Sequence, residues 1–198
     1  IRNKNKSIQM IAVFDDFIKD ESLIKEIQED PNFYIPTGQY KYYKGWWNSE
    51  PSNVKQRLIK YIWGDNLPIK TGGVIDGFEH WTGLQSTEIE GRRNYLELHM
   101  DDDVHLRQQK GQRMFPILGC VYYPPGFEFE GGDLHIYTDG EQNSPEVIKT
   151  RSNRLVIFNP GEVVHGVSEV TKGTRGAIAI NVWAEEPWSV GQGHIILE

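Results

Sequence analysis

The chain has 198 residues, of which 38% are hydrophobic and 12% aromatic, and its formal net charge is -7. This length suits one domain with one core, and the aromatic content argues against an intrinsically disordered chain. The acidic excess opposes binding to phosphate backbones, and no apolar run approaches the ~20 residues that cross a bilayer, so neither a nucleic-acid nor a membrane partner is expected.

Two amphipathic helices are predicted near the start of the chain. In 14–29, apolar residues repeat at helical spacing behind Asp20, which suits an N-cap. In 52–63, apolar residues recur at steps of three and four. We expect residues 1–70 to form a helical support.

After residue 70, short β-branched and aromatic runs alternate with Gly, Pro and Asn, a pattern typical of all-β structure. The predicted strands are 95–101, 115–123, 132–137, 154–159, 163–170 and 175–183. The polar stretches are predicted to be loops, at 85–94, 102–113 and 139–151. We predict a single domain over 1–198, mainly β with N-terminal helices, with a sandwich or jelly-roll core over 71–198.

The predicted strand 95–101 carries polar side chains on one face. Because residues two apart on a strand point the same way, that face holds Tyr95, Glu97, His99 and Asp101. The aliphatic residues between them take the other face, which we expect to be covered. An imidazole and a carboxylate at this spacing can share one cation, so His99 and Asp101 are candidate metal ligands. By itself, His-x-Asp is common by chance.

A third candidate ligand is His165. It follows a predicted strand and a Pro-Gly turn, on the next strand along the chain. Two His and one carboxylate on one side of a metal form the ligand set of non-haem Fe(II) oxygenases, which leaves positions open for a cosubstrate and O2. Zinc is the alternative metal, although catalytic zinc sites commonly lack an anion clamp.

Arg175 begins a period-two strand ten residues after His165. Its face of the strand also holds Ala177, Ala179, Asn181 and Trp183. Small residues beside a buried cation leave room for a ligand. A buried guanidinium needs a planar anion to offset its desolvation, and a carboxylate gripped by two N–H bonds suits it.

Together these elements resemble the 2-oxoglutarate- and Fe(II)-dependent dioxygenases, and within them the prolyl 4-hydroxylase-like branch. The resemblance covers roughly residues 80–185. It rests on His99-Met-Asp101, Cys120-Val-Tyr-Tyr123, Gly131-Gly-Asp-Leu134, and His165 with Arg175. The fold it implies is a double-stranded β-helix, a jelly roll of the cupin-like kind, with the N-terminal helices on its outer face.

The resemblance also implies a role for each matched residue. The Fe(II) ligands would be His99, Asp101 and His165. Arg175 would pair with the distal carboxylate of the cosubstrate 2-oxoglutarate, and these four residues would form the catalytic centre. Tyr123 would donate a second hydrogen bond to 2-oxoglutarate, and Tyr95 would line the same pocket.

The activity implied is hydroxylation of an unactivated C–H bond, which consumes O2 and releases succinate and CO2, with ascorbate as an accessory cofactor. Relatives that halogenate carry a small residue in place of the carboxylate, so Asp101 favours hydroxylation. Arg175 stands where collagen-type prolyl hydroxylases have Lys, which argues against collagen-type substrates. The substrate is left open between a proline in a peptide or protein, a free amino acid and another small metabolite.

Two other classes of protein remain open on the sequence. One is a non-catalytic jelly-roll binding module with a structural or absent metal, and the other is a zinc hydrolase of similar fold. No leader peptide is evident, so the expected location is cytoplasmic.

One geometric prediction concerns the segment between His165 and Arg175. If both side chains point inward across a hairpin, a two-residue turn would throw Arg175 outward. We therefore predict an odd-length loop or a bulge within 169–175.

Overall fold

The computed structural model describes residues 11–35, 41–64, 74–138 and 144–192. The helices in these ranges are α1 (Glu21–Glu29), α2 (Val54–Trp63) and α3 (Val104–Lys110). The strands are β1 (Ala12–Phe14), β2 (Lys41–Lys44), β3 (Gly77–Ser86), β4 (Leu96–His99), β5 (Leu118–Tyr123), β6 (Phe129–Gly131), β7 (Leu134–Tyr137), β8 (Glu146–Ile148), β9 (Arg154–Phe158), β10 (Val164–Val167) and β11 (Val170–Trp183).

The strands form two antiparallel sheets. The large sheet has the order β1-β9-β5-β11-β3-β2, with β6 also paired to β11, and the small sheet has the order β4-β10-β7-β8. A hydrophobic cluster joins their facing sides, with Leu134 and Ile136 from the small sheet against Tyr123 and Val156 from the large one. This arrangement confirms the predicted jelly roll.

Helices α1 and α2 cover the outer face of the large sheet. Leu23 and Leu58 are buried in one cluster with the outward residues of β5 and β11, such as Tyr122 and Ile178. Asp20 caps α1 as predicted, because its side chain accepts hydrogen bonds from the backbone N–H groups of Ser22 and Leu23. None of the described helices has the length and apolarity needed to cross a bilayer.

Several predicted boundaries are wrong. Within the segment 14–29, Phe14 belongs to β1, and α1 begins at Glu21, directly behind the predicted N-cap Asp20. The predicted loop 102–113 contains α3, whose N-cap Asp103 accepts a hydrogen bond from Leu106 N at 2.9 Å. The predicted loop 139–151 contains β8, although residues 139–143 lie outside the described ranges.

The ten-residue strand β3 was not predicted, and the predicted loop 85–94 overlaps its end. Its sequence mixes glycine and polar residues with few β-branched ones, so its pairing with β11 decides its structure. Strands β1 and β2 come from the expected helical support but pair with β9 and β3 in the large sheet. The assignment of the whole chain to one domain stays a prediction.

The bulge predicted between His165 and Arg175 is present, but the two strands do not form the hairpin that the prediction assumed. Strand β10 pairs with β4 and β7 in the small sheet, whereas β11 belongs to the large sheet, so the chain crosses between the sheets at Ser168 and Glu169. A register shift does occur within the predicted range, between Val170 and Lys172 where β11 pairs with β6. Arg175 points into the cavity, as expected. No two-residue turn constrains its direction, because the chain passes from one sheet to the other before β11.

Candidate active site

The strand that carries His99 is distorted by a bulge. His99 lies directly opposite His165, but the register then shifts so that Leu96 lies opposite Val167. Leu96 therefore shares the inner face with His99, while the Glu97 side chain is 65% exposed. The predicted alternation therefore fails before His99, although Asp101 still lies beside His99. The expected covering of the aliphatic face is wrong too, since Leu98 is 44% exposed.

The bulge and the β4–β10 ladder bring three potential metal ligands together. One ligand atom each of His99, Asp101 and His165 lies within 4.8 Å of the other two. The Oδ1 atom of Asp101 is 3.3 Å from His99 Nε2 and 3.7 Å from His165 Nε2. The Asp101 backbone N–H donates to the Pro160 carbonyl at 2.9 Å, which anchors the residue just beyond the end of β4.

Backbone carbonyls fix the orientation of both imidazoles. His99 Nδ1 lies 2.8 Å from the carbonyl oxygen of Glu97, and His165 Nδ1 lies 3.2 Å from that of Val163. A hydrogen bond at Nδ1 selects the tautomer whose Nε2 lone pair is free. In the neutral rings both Nε2 lone pairs are therefore directed at a cation position beside Asp101, whereas protonated His99 donates Nε2–H to Asp101 Oδ1.

The charges of the three groups are coupled. Burial opposes ionisation of Asp101, but the hydrogen bond with His99 and the nearby imidazole of His165 outweigh burial and hold the pKa of the carboxyl below its ordinary value. Burial lowers the pKa of His165. Burial also acts against the charged form of His99, but the hydrogen bond with Asp101 raises its pKa. An ionised carboxylate thus lies beside a buried neutral imidazole, as metal ligation requires.

A cavity of about 140 Å³ lies between the two sheets at this cluster. The large sheet contributes the β11 face predicted from the sequence, including Arg175, Ala177, Ala179 and Asn181. The opposite wall includes His99, His165 and Val167. This volume is below the roughly 300–1,000 Å³ of drug-sized ligand sites, so it suits one small molecule.

Arg175 is 3% exposed and lines this cavity. Its guanidinium donates to Gln85 Oε1, lies 3.5 Å from Thr150 Oγ1 through Nε, and sits 4.9 Å from the centre of the Tyr123 ring. Gly132 belongs to the Gly-Gly motif and leaves space for this side chain, since a Cβ there would lie 2.7 Å from Arg175 Cδ. The second glycine of the Gly-Gly motif is therefore required because a larger residue would collide with Arg175.

The structure brings Tyr123 to this cluster but not Tyr95. Tyr123 is 1% exposed, and its hydroxyl is buried without a hydrogen-bond partner among the described residues. Tyr95 is 37% exposed and lines a separate surface groove with Leu98 and His135. The bulge in β4 explains this placement, and we assign Tyr95 no role in the cavity.

Sequence reasoning did not single out two residues that touch the site. Gln85 lies opposite Arg175 in the β3–β11 ladder, on a strand that was not predicted. Asn181 was placed on the correct face of β11 but given no function, and its Nδ2 donates to Asp101 Oδ2 at 2.9 Å. Its position on the same strand face as Arg175 was the feature of the sequence that could have indicated a role in the site.

Comparison with known proteins agrees with this geometry. The sequence model of the 2OG-Fe(II) oxygenase superfamily matches residues 84–184, just over half of the chain. The chain therefore belongs to the 2OG-Fe(II) oxygenase superfamily. It is a 2-oxoglutarate-dependent dioxygenase with a fold like that of the prolyl 4-hydroxylases. The comparison with curated proteins finds no match.

Two solved structures illustrate the likeness in fold. A prolyl-4-hydroxylase from Pseudomonas putida superposes with a TM-score of 0.53 at 15% identity, covering 90% of each chain. The viral collagen prolyl hydroxylase of Paramecium Bursaria Chlorella virus-1, as a truncated form, gives 0.50 at 12% identity, covering 89% of this chain and 90% of that one. At these identities the likeness concerns the fold alone.

Proposed function

We propose that this chain hydroxylates an unactivated C–H bond, with Fe(II) held by His99, Asp101 and His165. In this proposal Arg175 binds the distal carboxylate of 2-oxoglutarate, and the Tyr123 hydroxyl donates a second hydrogen bond to it. The substrate we propose is of the prolyl type, in a peptide or protein or as an amino acid. The fold shared with the Pseudomonas putida prolyl-4-hydroxylase supports that class.

The observation that carries the proposal is that the buried charge of Arg175 has no anionic partner among the described residues. This buried guanidinium takes part in none of the ion pairs among the described residues, and its known polar partners are neutral. The buried Tyr123 hydroxyl beside it also lacks a partner in the described part of the chain. A buried cation and a buried unpaired donor are each costly, and one carboxylate would satisfy both.

The ligand set supports Fe(II) at the other end of the cavity. Two imidazole nitrogens and one carboxylate oxygen on one side of a cation are the set used for non-haem Fe(II) and O2 chemistry. A zinc hydrolase would need no anion clamp such as Arg175 in the same cavity. The donor set and the clamp together therefore favour an oxygenase site.

The residues of this chain would bind and orient the reactants. Fe(II) and 2-oxoglutarate, when bound with O2, supply the oxidation that hydroxylates a C–H bond and releases succinate and CO2. Arg175 would fix the far end of 2-oxoglutarate, and Ala177 and Ala179 leave space beside it on β11. Phe158 packs edge-on against His165 at 5.0 Å between ring centres and limits access of water to that imidazole.

The test is succinate formation by the purified chain with Fe(II), 2-oxoglutarate, ascorbate and O2. We expect slow succinate release without substrate, and its loss in His99→Ala and Asp101→Ala. Substrates are then sought in a panel of proline-containing peptides, free amino acids and small metabolites by the mass gain of one oxygen atom. A chain that binds metal but forms no succinate with any member of the panel would indicate the non-catalytic binding module instead.

A further inference from the structure

The two oxygens of Asp101 have different surroundings. Oδ1 faces the imidazoles of His99 and His165, at 3.3 and 3.7 Å from their Nε2 atoms. Oδ2 accepts a hydrogen bond from Asn181 Nδ2 at 2.9 Å. Because an ionised carboxylate only accepts hydrogen bonds, the amide of Asn181 must present its NH₂ group to it. One oxygen is thus directed to the metal position and the other is occupied by the protein.

The Asn181 amide is itself held in place. Asn181 is 3% exposed and lies opposite Gly119 on β5 and Glu79 on β3. A Cβ at Gly119 would lie 2.7 Å from Asn181 Oδ1 and 2.7 Å from the Pro160 Cγ. The absence of a side chain at this position therefore gives the amide the space in which it reaches Asp101.

We propose that Asn181 is a positioning residue whose amide reserves Oδ2 of Asp101, so that Asp101 binds the metal through Oδ1 alone. Ligation through both oxygens would take up a coordination position that this ligand set leaves for 2-oxoglutarate or O2. Residues that hydrogen-bond to a metal-binding side chain commonly fix its orientation, and their loss weakens metal binding. The inference rests on the proposed function, because it concerns the same metal site.

The test uses the purified full chain with Co(II) as the only added ligand. We compare the wild type with Asn181→Leu, which keeps the shape but removes the amide, and with the control Ile180→Val, whose side chain faces the helices. We expect Asn181→Leu to bind Co(II) roughly ten- to a hundredfold more weakly. Its visible Co(II) absorption should also change, because the released second oxygen of Asp101 can replace another ligand of the metal. Ile180→Val should match the wild type in both respects.

The outcomes separate this inference from the proposed function. If the wild type binds Co(II) and Asn181→Leu binds it with unchanged affinity and spectrum, the positioning role is wrong and the oxygenase proposal is untouched. If the wild type binds no Co(II), both are wrong.

A second variant tests the same inference if Asn181→Leu does not fold. Gly119→Ala displaces the amide while Asn181 and Asp101 remain. It also presses on Pro160, so its effect is measured in the wild type and in Asn181→Ala. We expect a loss of Co(II) affinity of roughly tenfold in the wild type and much less in Asn181→Ala, because the amide is already absent there. Equal losses in the two backgrounds would contradict the positioning role.

Discussion

Arg175 is the residue on which binding of 2-oxoglutarate should depend most. Replacing it by Gln removes a charge-assisted bond worth about 1.5–3 kcal/mol, so Arg175→Gln should weaken 2-oxoglutarate binding roughly ten- to a hundredfold. Calorimetric titration with Mn(II) in place of iron measures this. Arg154→Gln is the matched control, because Arg154 is also buried but pairs with Asp15 away from the cavity. An equal loss in both variants would indicate a general effect on folding.

The buried Glu79 should make the free energy of unfolding depend on pH. It is 4% exposed and accepts hydrogen bonds from Trp183 and Ser189, while burial and the nearby charge of Asp101 raise its pKa to about 8. Between its ordinary value of 4.5 and 8, the unfolded chain has released this proton but the folded chain keeps it. The free energy of unfolding therefore falls as pH rises through this window, by at most about 1.4 kcal/mol per pH unit.

Glu79→Gln should remove this contribution of Glu79 to the pH dependence of the unfolding free energy. The stability of the variant relative to the wild type should increase from about pH 5 to about pH 8, as urea unfolding at each pH would show. Ser189→Ala keeps the titrating group, and loss of this donor raises the pKa of Glu79 further, so the stability of this variant should fall with pH across the window as that of the wild type does. A constant difference for Glu79→Gln would mean that Glu79 is ionised in the folded chain.

At the level of elements, the bulge in β4 places His99, and Gly166 on β10 makes room for it. A Cβ at Gly166 would lie 2.8 Å from the backbone oxygen of Leu96, and this contact cannot be relieved by rotating a side chain. Gly166→Ala should therefore cost about 1–3 kcal/mol of unfolding free energy and weaken Co(II) binding. Urea unfolding and Co(II) titration measure the two effects.

The control for Gly166→Ala is His135→Ala, since His135 lies opposite Gly166 on the other neighbouring strand, β7. It changes the same position of the ladder without a backbone clash, so Co(II) affinity should be retained. If Gly166→Ala also kept full affinity, the bulge would not be what positions His99.

The bulge also shows what the sequence could and could not reveal. Strict alternation correctly placed His99 and Asp101 near one another and Arg175 on the inner face of β11, because hydrophobic pattern and spacing carry that information. It failed for Tyr95, because an extra residue in a strand has no local mark in the sequence. The crossover after β10 was likewise missed, since pairing between sheets is decided by contacts distant in the chain.

At the scale of the whole molecule, the cavity is bounded by both sheets, so a ligand that fills it should hold them together. His99 and His165 come from the small sheet, and Arg175 and Asn181 from the large one. Mn(II) with 2-oxoglutarate at a hundred times the dissociation constant should raise the free energy of unfolding by about 2.7 kcal/mol. Thermal unfolding with and without the two ligands measures this.

The control ligand for that experiment is 2-oxobutyrate. It chelates a metal in the same way as 2-oxoglutarate but has no distal carboxylate for Arg175 to bind. It should stabilise the chain less than 2-oxoglutarate does. Equal stabilisation by the two acids would place the bound acid away from the guanidinium and would contradict the assignment of Arg175.

The direct opposition of His99 and His165 has a consequence for how this protein tolerates insertions and deletions. Adding or removing one residue in either strand would turn an imidazole toward the solvent while the rest of the ladder kept its hydrogen bonds. Such a variant would retain the circular dichroism of a β protein and lose its affinity for metal. Length changes should therefore be accepted in the connections between strands and rejected within β4 and β10.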